Sequence, residues 1–285
     1  MSVSVTFWGT RGTIPVPGQH TVRYGGNTPC VSLRDGKGHC LILDAGTGIR
    51  RLGNEIAADA AAGRVDLFLS HVHWDHIQGL PFFSPMYAER QEIAVHGPTP
   101  VGASLREVLD RQLEPAVYPV PRAARPARMS VQELRPGEVV EVPGFQVQSC
   151  QLSHPGGALG YRITPNGGGP SVAFLTDNEL GPGGATRVPA GWRDALTTFV
   201  GDASLLIHDG MYTPALHVER PGWGHSNALD AVALAAEASV GELALFHHDP
   251  GHDDGQVDAL LAMARAKAPE GLTVSAACEG WTVTL

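Results

Sequence analysis

Alternation of apolar and polar residues opens the chain: Val3-Ser-Val5-Thr-Phe7 has the two-residue period of a half-buried strand. Val31-Ser-Leu33 and Leu41-Ile-Leu43 flank Asp35-Gly36 and Gly38, which predicts two strands joined by a hairpin turn. A helix is expected over Gly48 to Ala62, and the apolar run Val65 to Leu69 then reads as a buried strand. Between Pro98 and Pro143 the pattern weakens. A helix is expected around Ala103 to Leu113, followed by an irregular arm at about 114–130 that opens Glu114-Pro-Ala-Val-Tyr-Pro-Val-Pro and carries Arg122, Arg125 and Arg128. This arm reads as a surface excursion, either a lid or the interface of a homodimer.

The second half repeats this style. Phe145 to Leu152, Gly160 to Thr164, Ser171 to Thr176 and Leu205 to His208 are short strands, several of which end in His or Asp, so a site is expected at strand ends. Ser226 to Val240 is the clearest helix, with Ser226 or Asn227 as N-cap, Leu229, Val232, Ala233 and Ala236 on one face, and Gly241 beyond its end. It feeds a strand, Glu242 to His247, and a helix over Gln256 to Lys267 precedes a last strand, Leu272 to Ala276. With no repeat and no linker, residues 1–285 read as one domain of two similar halves.

Composition narrows the classes. Gly 35 and Pro 22 in 285 residues suit a loop-rich fold and exclude a coiled coil. Lys+Arg 20 against Asp+Glu 29 leaves a net charge of -9, which argues against a general nucleic-acid or membrane-surface binder, since both need a basic face. Cys30, Cys40, Cys150 and Cys278 form no CxxC pair and read as reduced thiols in a cytoplasmic protein. Met1 to Trp8 lacks the basic and apolar regions of a signal peptide, and no run of eighteen apolar residues suggests a membrane span.

Candidate chemistry is concentrated in the histidines, of which there are 13. Ser70-His71-Val-His73-Trp-Asp75-His76 sets four possible ligands within six residues, directly after a buried strand. They cannot all face one side of a strand or helix, so a loop must wrap them around a small volume. The His-x-His pair would face one cation and the Asp-His pair another. Further donors stand at strand ends: His154 in Leu-Ser-His-Pro, Asp177 in Phe-Leu-Thr-Asp-Asn and His247 in Leu-Phe-His-His. Singly, either histidine also suits a core or surface position and Asp177 a turn or cap. Imidazole with carboxylate suits zinc first, and manganese or iron in a more open site.

The run His71-Val-His73-Trp-Asp75-His76, with His154, Asp177 and His247 following in order, resembles the metallo-β-lactamase superfamily over nearly the whole chain. Leu152-Ser-His-Pro, Gly160-Tyr161-Arg162, His208-Asp209, Gly224-His225-Ser226 and Phe246-His247-His248 are similar to its branch of tRNase Z and cyclic-phosphate phosphodiesterases. Gly9-Thr-Arg11-Gly and Asp44-Ala-Gly-Thr-Gly48 fit as well. The resemblance implies an α/β (α+β) fold, a four-layer αββα sandwich with a dinuclear metal site at one edge. It places His71, His73 and His154 on one divalent ion, Asp75, His76 and His247 on the other, and Asp177 between them. His225 matches a histidine near the leaving group, Asp209 its acidic partner, and His248, Asp249 and His252 could orient ligands.

Two such ions roughly 3.5–4 Å apart can share a water and use the resulting hydroxide on a phosphoryl group. With protonated His225 donating to the leaving oxygen, the implied activity is hydrolysis of a cyclic nucleotide or other small cyclic phosphate. Arg11, Arg23, Arg162 and His248 are candidate substrate contacts. Thioester or other small-ester hydrolysis shares the same ligands, and a non-catalytic metal-containing sensor would keep them without turnover. A tRNA substrate fits less well, because Gly160 to Ser171 leaves room only for a short hairpin where that branch would carry a long basic arm.

Overall fold

The computed structural model describes residues 2–58, 63–89, 91–181 and 188–285. In chain order it contains β1 (Val3–Gly9), β2 (Cys30–Asp35), β3 (Cys40–Leu43), α1 (Ile49–Ala58), β4 (Arg64–Phe68), α2 (Trp74–Ile77), β5 (Glu92–Pro98), α3 (Leu105–Arg111) and β6 (Arg128–Leu134). The second half contains β7 (Val139–Val142), β8 (Phe145–Leu152), β9 (Ala158–Pro165), β10 (Val172–Leu175), α4 (Trp192–Val200), β11 (Leu205–Asp209), α5 (Pro214–Glu219), α6 (Ala228–Glu237), β12 (Glu242–Phe246), α7 (Asp254–Arg265), β13 (Thr273–Ala276) and β14 (Thr282–Thr284).

The strands form two seven-stranded sheets, ordered β14-β1-β2-β3-β4-β5-β6 and β13-β12-β11-β10-β9-β8-β7. Each half thus supplies one sheet, with β14 crossing back to pair antiparallel with β1. Pairing is parallel from β3 to β6 and from β10 to β13. Phe7, Phe68, Phe145, Tyr161, Phe174 and Phe246 share one buried cluster drawn from both sheets. A second cluster joins the other face of the first sheet to α1 and α3, and a third joins the second sheet to α4, α6 and α7. Three apolar seams between four layers give the expected αββα sandwich.

The buried strands predicted after residue 64 carry almost unbroken apolar runs because both faces of a parallel sheet are covered. No strand was expected at β5, although five of its seven residues are buried; most other departures fall where the local signal is weak. β6 and β7 lie in the stretch read as patternless; they are outer strands with exposed alternate residues, so few apolar positions mark them. β6 takes up the last residues of the arm, and Tyr118 within the arm donates a hydrogen bond to the Pro81 carbonyl at 2.8 Å. α1 spans Ile49–Ala58, and the rest of that helix expectation, 59–62, lies outside the described residues. At α6 the cap is Asn227, whose side chain accepts from the Leu229 and Asp230 N–H groups, while Ser226 bonds the loop after β10. α4 and α5 were not anticipated.

Candidate metal centre

The C-terminal ends of parallel strands β4, β10, β11 and β12 converge at one edge of the sandwich, and each delivers a polar residue there: His71 after β4, Asp177 after β10, Asp209 at the end of β11 and His247 after β12. The two sheets are tied at this edge by the Leu159 N–H to the Ser70 carbonyl (2.8 Å) and the Tyr161 hydroxyl to the Leu69 carbonyl (2.6 Å). His71 and His73 sit on the loop leaving β4, whereas Asp75 and His76 fall on α2, a single turn that begins at Trp74. The wrapping needed to bring four ligands together is thus part loop and part helical turn.

Two nests result. Donor atoms of His71, His73 and His154 lie within 4.8 Å of one another, as do those of Asp75, His76 and His247. Asp177 stands between them. Its Oδ2 is 3.8 Å from His71 Nε2 and 3.7 Å from His154 Nε2, while its Oδ1 is 3.2 Å from Nε2 of both His76 and His247. His225 completes further triples with His154 and Asp177 and with Asp209 and His247.

The outer nitrogens are anchored, which turns the inner ones towards the nests. His76 Nδ1 donates to Asp44 at 2.8 Å and His154 Nδ1 to the Gly224 carbonyl at 3.0 Å. His71 Nδ1 meets Ser70 Oγ at 3.0 Å, and that hydroxyl donates onward to Asp44 at 2.9 Å. Asp75 Oδ2 accepts from the Thr13 N–H at 2.7 Å. Among the described residues the buried His71 Nε2 has no hydrogen-bond partner, and His76 Nε2 faces the Asp75 and Asp177 carboxylates at 3.2 Å each.

This arrangement fits a pair of divalent cations. Burial holds His71 well below its ordinary pKa and His154 down at about 4, so both present the neutral imidazole that ligation requires. In the other nest burial opposes protonation of His76, but Asp75, Asp177 and Asp44 outweigh it and raise its pKa well above the usual value. Several buried carboxylates around one imidazole are an excess of negative charge that a cation would neutralise. No cysteine takes part, which favours borderline and harder ions over soft ones.

His225 faces the same cavity. Its Nδ1 is 2.7 Å from Asp209 Oδ2, and the other Asp209 oxygen accepts from the Met211 N–H at 2.9 Å, so the carboxylate is fixed. Burial lowers the pKa of His225, yet Asp209, through charge and hydrogen bond, carries it up to about 9. The ring stacks on that of His247 at 5.0 Å. The cavity, about 640 Å³, is lined by His73, Asp75, His154, Asp177, His225 and His247 together with apolar groups.

Four sequence candidates are placed elsewhere. Arg11 is fully buried and spends its guanidinium on the Gly25, Asp249 and His252 carbonyls. Arg23 pairs with Asp258 on the surface, and Arg162 bonds the Phe199 and Gly201 carbonyls at the end of α4. His248 turns away from its neighbour and donates to the Ala277 carbonyl at 2.8 Å. These are structural contacts that hold segments together, and none of the four lines the cavity. Conversely, Asp44, Ser70, Thr13 and Gly12 carry work that was not assigned to them. Gly12 is packed so closely that a Cβ there would lie 2.4 Å from His247 Cε1. Asp44 and Gly12 sit in the quoted segments Asp44-Ala-Gly-Thr-Gly48 and Gly9-Thr-Arg11-Gly, which were the available signal.

Facing sheets with paired His/Asp nests where their parallel strands end define a class of metal-dependent hydrolases. The chain belongs to the metallo-β-lactamase superfamily: residues 39–248 match its beta-lactamase superfamily domain. Among similar proteins, Ribonuclease Z of Natronomonas pharaonis is 26% identical over 287 residues, covering 87% of each chain. The metallo-beta-lactamase fold protein YhfI from Bacillus subtilis superposes with a TM-score of 0.70 at 20% identity over 100% of this chain and 99% of that one. Unliganded yeast PDE1 gives a TM-score of 0.71 at 14% identity over 99% of both. No described helix is long and apolar enough to cross a membrane.

Proposed function

We propose that the protein is a dinuclear metal-dependent phosphodiesterase acting on a cyclic nucleotide or another small cyclic phosphate. The observation that carries this reading is His225, held by the buried Asp209 carboxylate at 2.7 Å beside both nests. His71, His73 and His154 would hold one divalent ion and Asp75, His76 and His247 the other, with Asp177 offering one oxygen to each; zinc suits the donors first, then manganese or iron. When bound, such ions would supply Lewis acidity and lower the pKa of a coordinated water. His225 is the proton source for the departing alkoxide. With Nδ1 committed to Asp209, Nε2 is its free nitrogen, and it gives its proton to the ester oxygen as the P–O bond breaks. Asp209 keeps the ring oriented and stabilises the imidazolium.

The similarity to chains named Ribonuclease Z supports phosphodiester chemistry. A small substrate is supported by the six residues between β9 and β10, 166–171, and by the net charge of -9, neither of which suits a grip on tRNA. The test is metal analysis followed by assay with bis(p-nitrophenyl) phosphate and cyclic nucleotides. His225→Ala should lower kcat by about 100-fold or more with both ions retained. Loss of an ion in that variant would make His225 a ligand. Thioester turnover without phosphodiester turnover would replace the proposal, and metal without any turnover would favour a sensor.

A further inference from the structure

Five tryptophans are present, and three are absorbed by the fold: Trp8 donates to Ser32, Trp192 to the Gln151 carbonyl, and Trp281 stacks on Phe7 at 5.0 Å. The other two, Trp74 and Trp223, are 68% and 59% exposed, and both line the metal-site cavity. Exposing an indole forgoes the burial of one of the largest apolar side chains, and two around one opening form a local apolar feature rather than scattered surface residues.

Both are set in position by the site itself. Trp74 lies between the nest residues His73 and Asp75 at the start of α2. Trp223 precedes Gly224, whose carbonyl anchors His154, and its ring carries the Arg220 guanidinium at 5.2 Å. Arg220 is also over Tyr212 at 5.2 Å and paired with Asp249 at 3.2 Å, so the side chain that supports Trp223 is itself braced. A planar apolar wall, a held cation and a cavity of about 640 Å³ match a ligand that joins a flat aromatic ring to an anion.

We infer that Trp74 and Trp223 determine specificity by stacking the nucleobase of the substrate, so that nucleotides are selected over base-free phosphates. The inference rests on the phosphodiesterase reading for what is cleaved, but stacking can be measured on its own. The indole faces act on any base because every base has a π-face, and Arg220 steadies Trp223 beside the His/Asp nests.

The probes are AMP and ribose 5-phosphate, titrated into the metal-loaded protein while tryptophan fluorescence and heat are followed. AMP should quench the emission and bind at least about tenfold more tightly than ribose 5-phosphate. Trp223→Ala and Trp74→Ala should each shrink that preference several-fold, and Trp223→Phe, which keeps an aromatic face, should restore most of it. Retained metal content in each variant shows that the nests remain formed. Equal affinity for the two probes, or an undiminished preference in both alanine variants, overturns the inference. If AMP is preferred but no phosphodiester is cleaved, the phosphodiesterase reading fails and the stacking assignment stands. If cyclic nucleotides and base-free cyclic phosphates are cleaved with the same kcat/KM, the reverse holds.

Discussion

Six non-glycine residues in the described structure have φ in the left-handed region, and four of them are in or beside the metal centre: Thr13 (67°), Asp44 (60°), Asp177 (51°) and His247 (59°). Each such residue costs on the order of 1 kcal/mol or more, and surrounding hydrogen bonds must hold it there. The return is direction. A strand that ends in a left-handed residue turns its last side chain back over the sheet edge, which is how Asp177 and His247 reach one another at 3.2 Å. Gly12 shows the same demand from the opposite side, since its hydrogen leaves space for the His247 ring. Gly12→Ala should therefore push that ring aside and weaken the nest of Asp75, His76 and His247 by about tenfold or more, measured by chelator competition for bound zinc. Unchanged affinity would show that the loop can move away instead. None of this is visible in a residue-by-residue reading, because an Asp or His after an apolar run looks the same whichever way its backbone turns.

At the scale of elements, most of the buried parallel strands were readable from their apolar runs, and the outer strands β6 and β7 were not, because an outer strand is half solvated and needs few apolar residues. Polar residues inside a parallel sheet need partners, and β4 has one such case. Asp66 takes two hydrogen bonds from Arg64, at 2.8 and 3.0 Å, and one from His96 on β5 at 3.2 Å. Burial raises its pKa, but these bonds outweigh burial and hold it below the ordinary 3.8. Because the folded value lies below the unfolded one, the stabilisation is fully present above about pH 4 and is lost as pH falls through the folded value. Between pH 7 and pH 3 the urea midpoint of the native protein should fall further than that of Asp66→Asn. Parallel loss in the two proteins would remove Asp66 from the acid response.

For the whole molecule the decisive arrangement is the facing of two sheets, each built mainly from one half of the chain, so that His and Asp side chains more than one hundred residues apart meet at one edge. Buried carboxylates gathered there repel one another, a charge excess that a cation would offset, and a cation held by side chains that only the fold assembles would stabilise the folded chain over the unfolded one. Removing metal with EDTA should lower the melting temperature, and added zinc should restore it progressively, each site adding about 2.7 kcal/mol of stability once free zinc reaches a hundred times Kd. A melting temperature indifferent to both treatments would show that the nests hold no ion. The amino-acid sequence by itself marked individual strands and helices, through the period and length of their apolar runs, and candidate ligands, through the density of His71 to His76 and the polar ends of later strands; the αββα sandwich it implied only through resemblance to a known superfamily. Its arginines misled, because a cation written in a sequence says nothing about the carbonyls that will surround it: Arg11 and Arg162 became internal struts. Only the tertiary structure decided which side chains share a volume. It separated His247 from His248, gave His76 its Asp44 partner, and placed two exposed tryptophans at the cavity of the metal centre, since contact across a hundred residues is set by how the sheets pack and not by any local pattern.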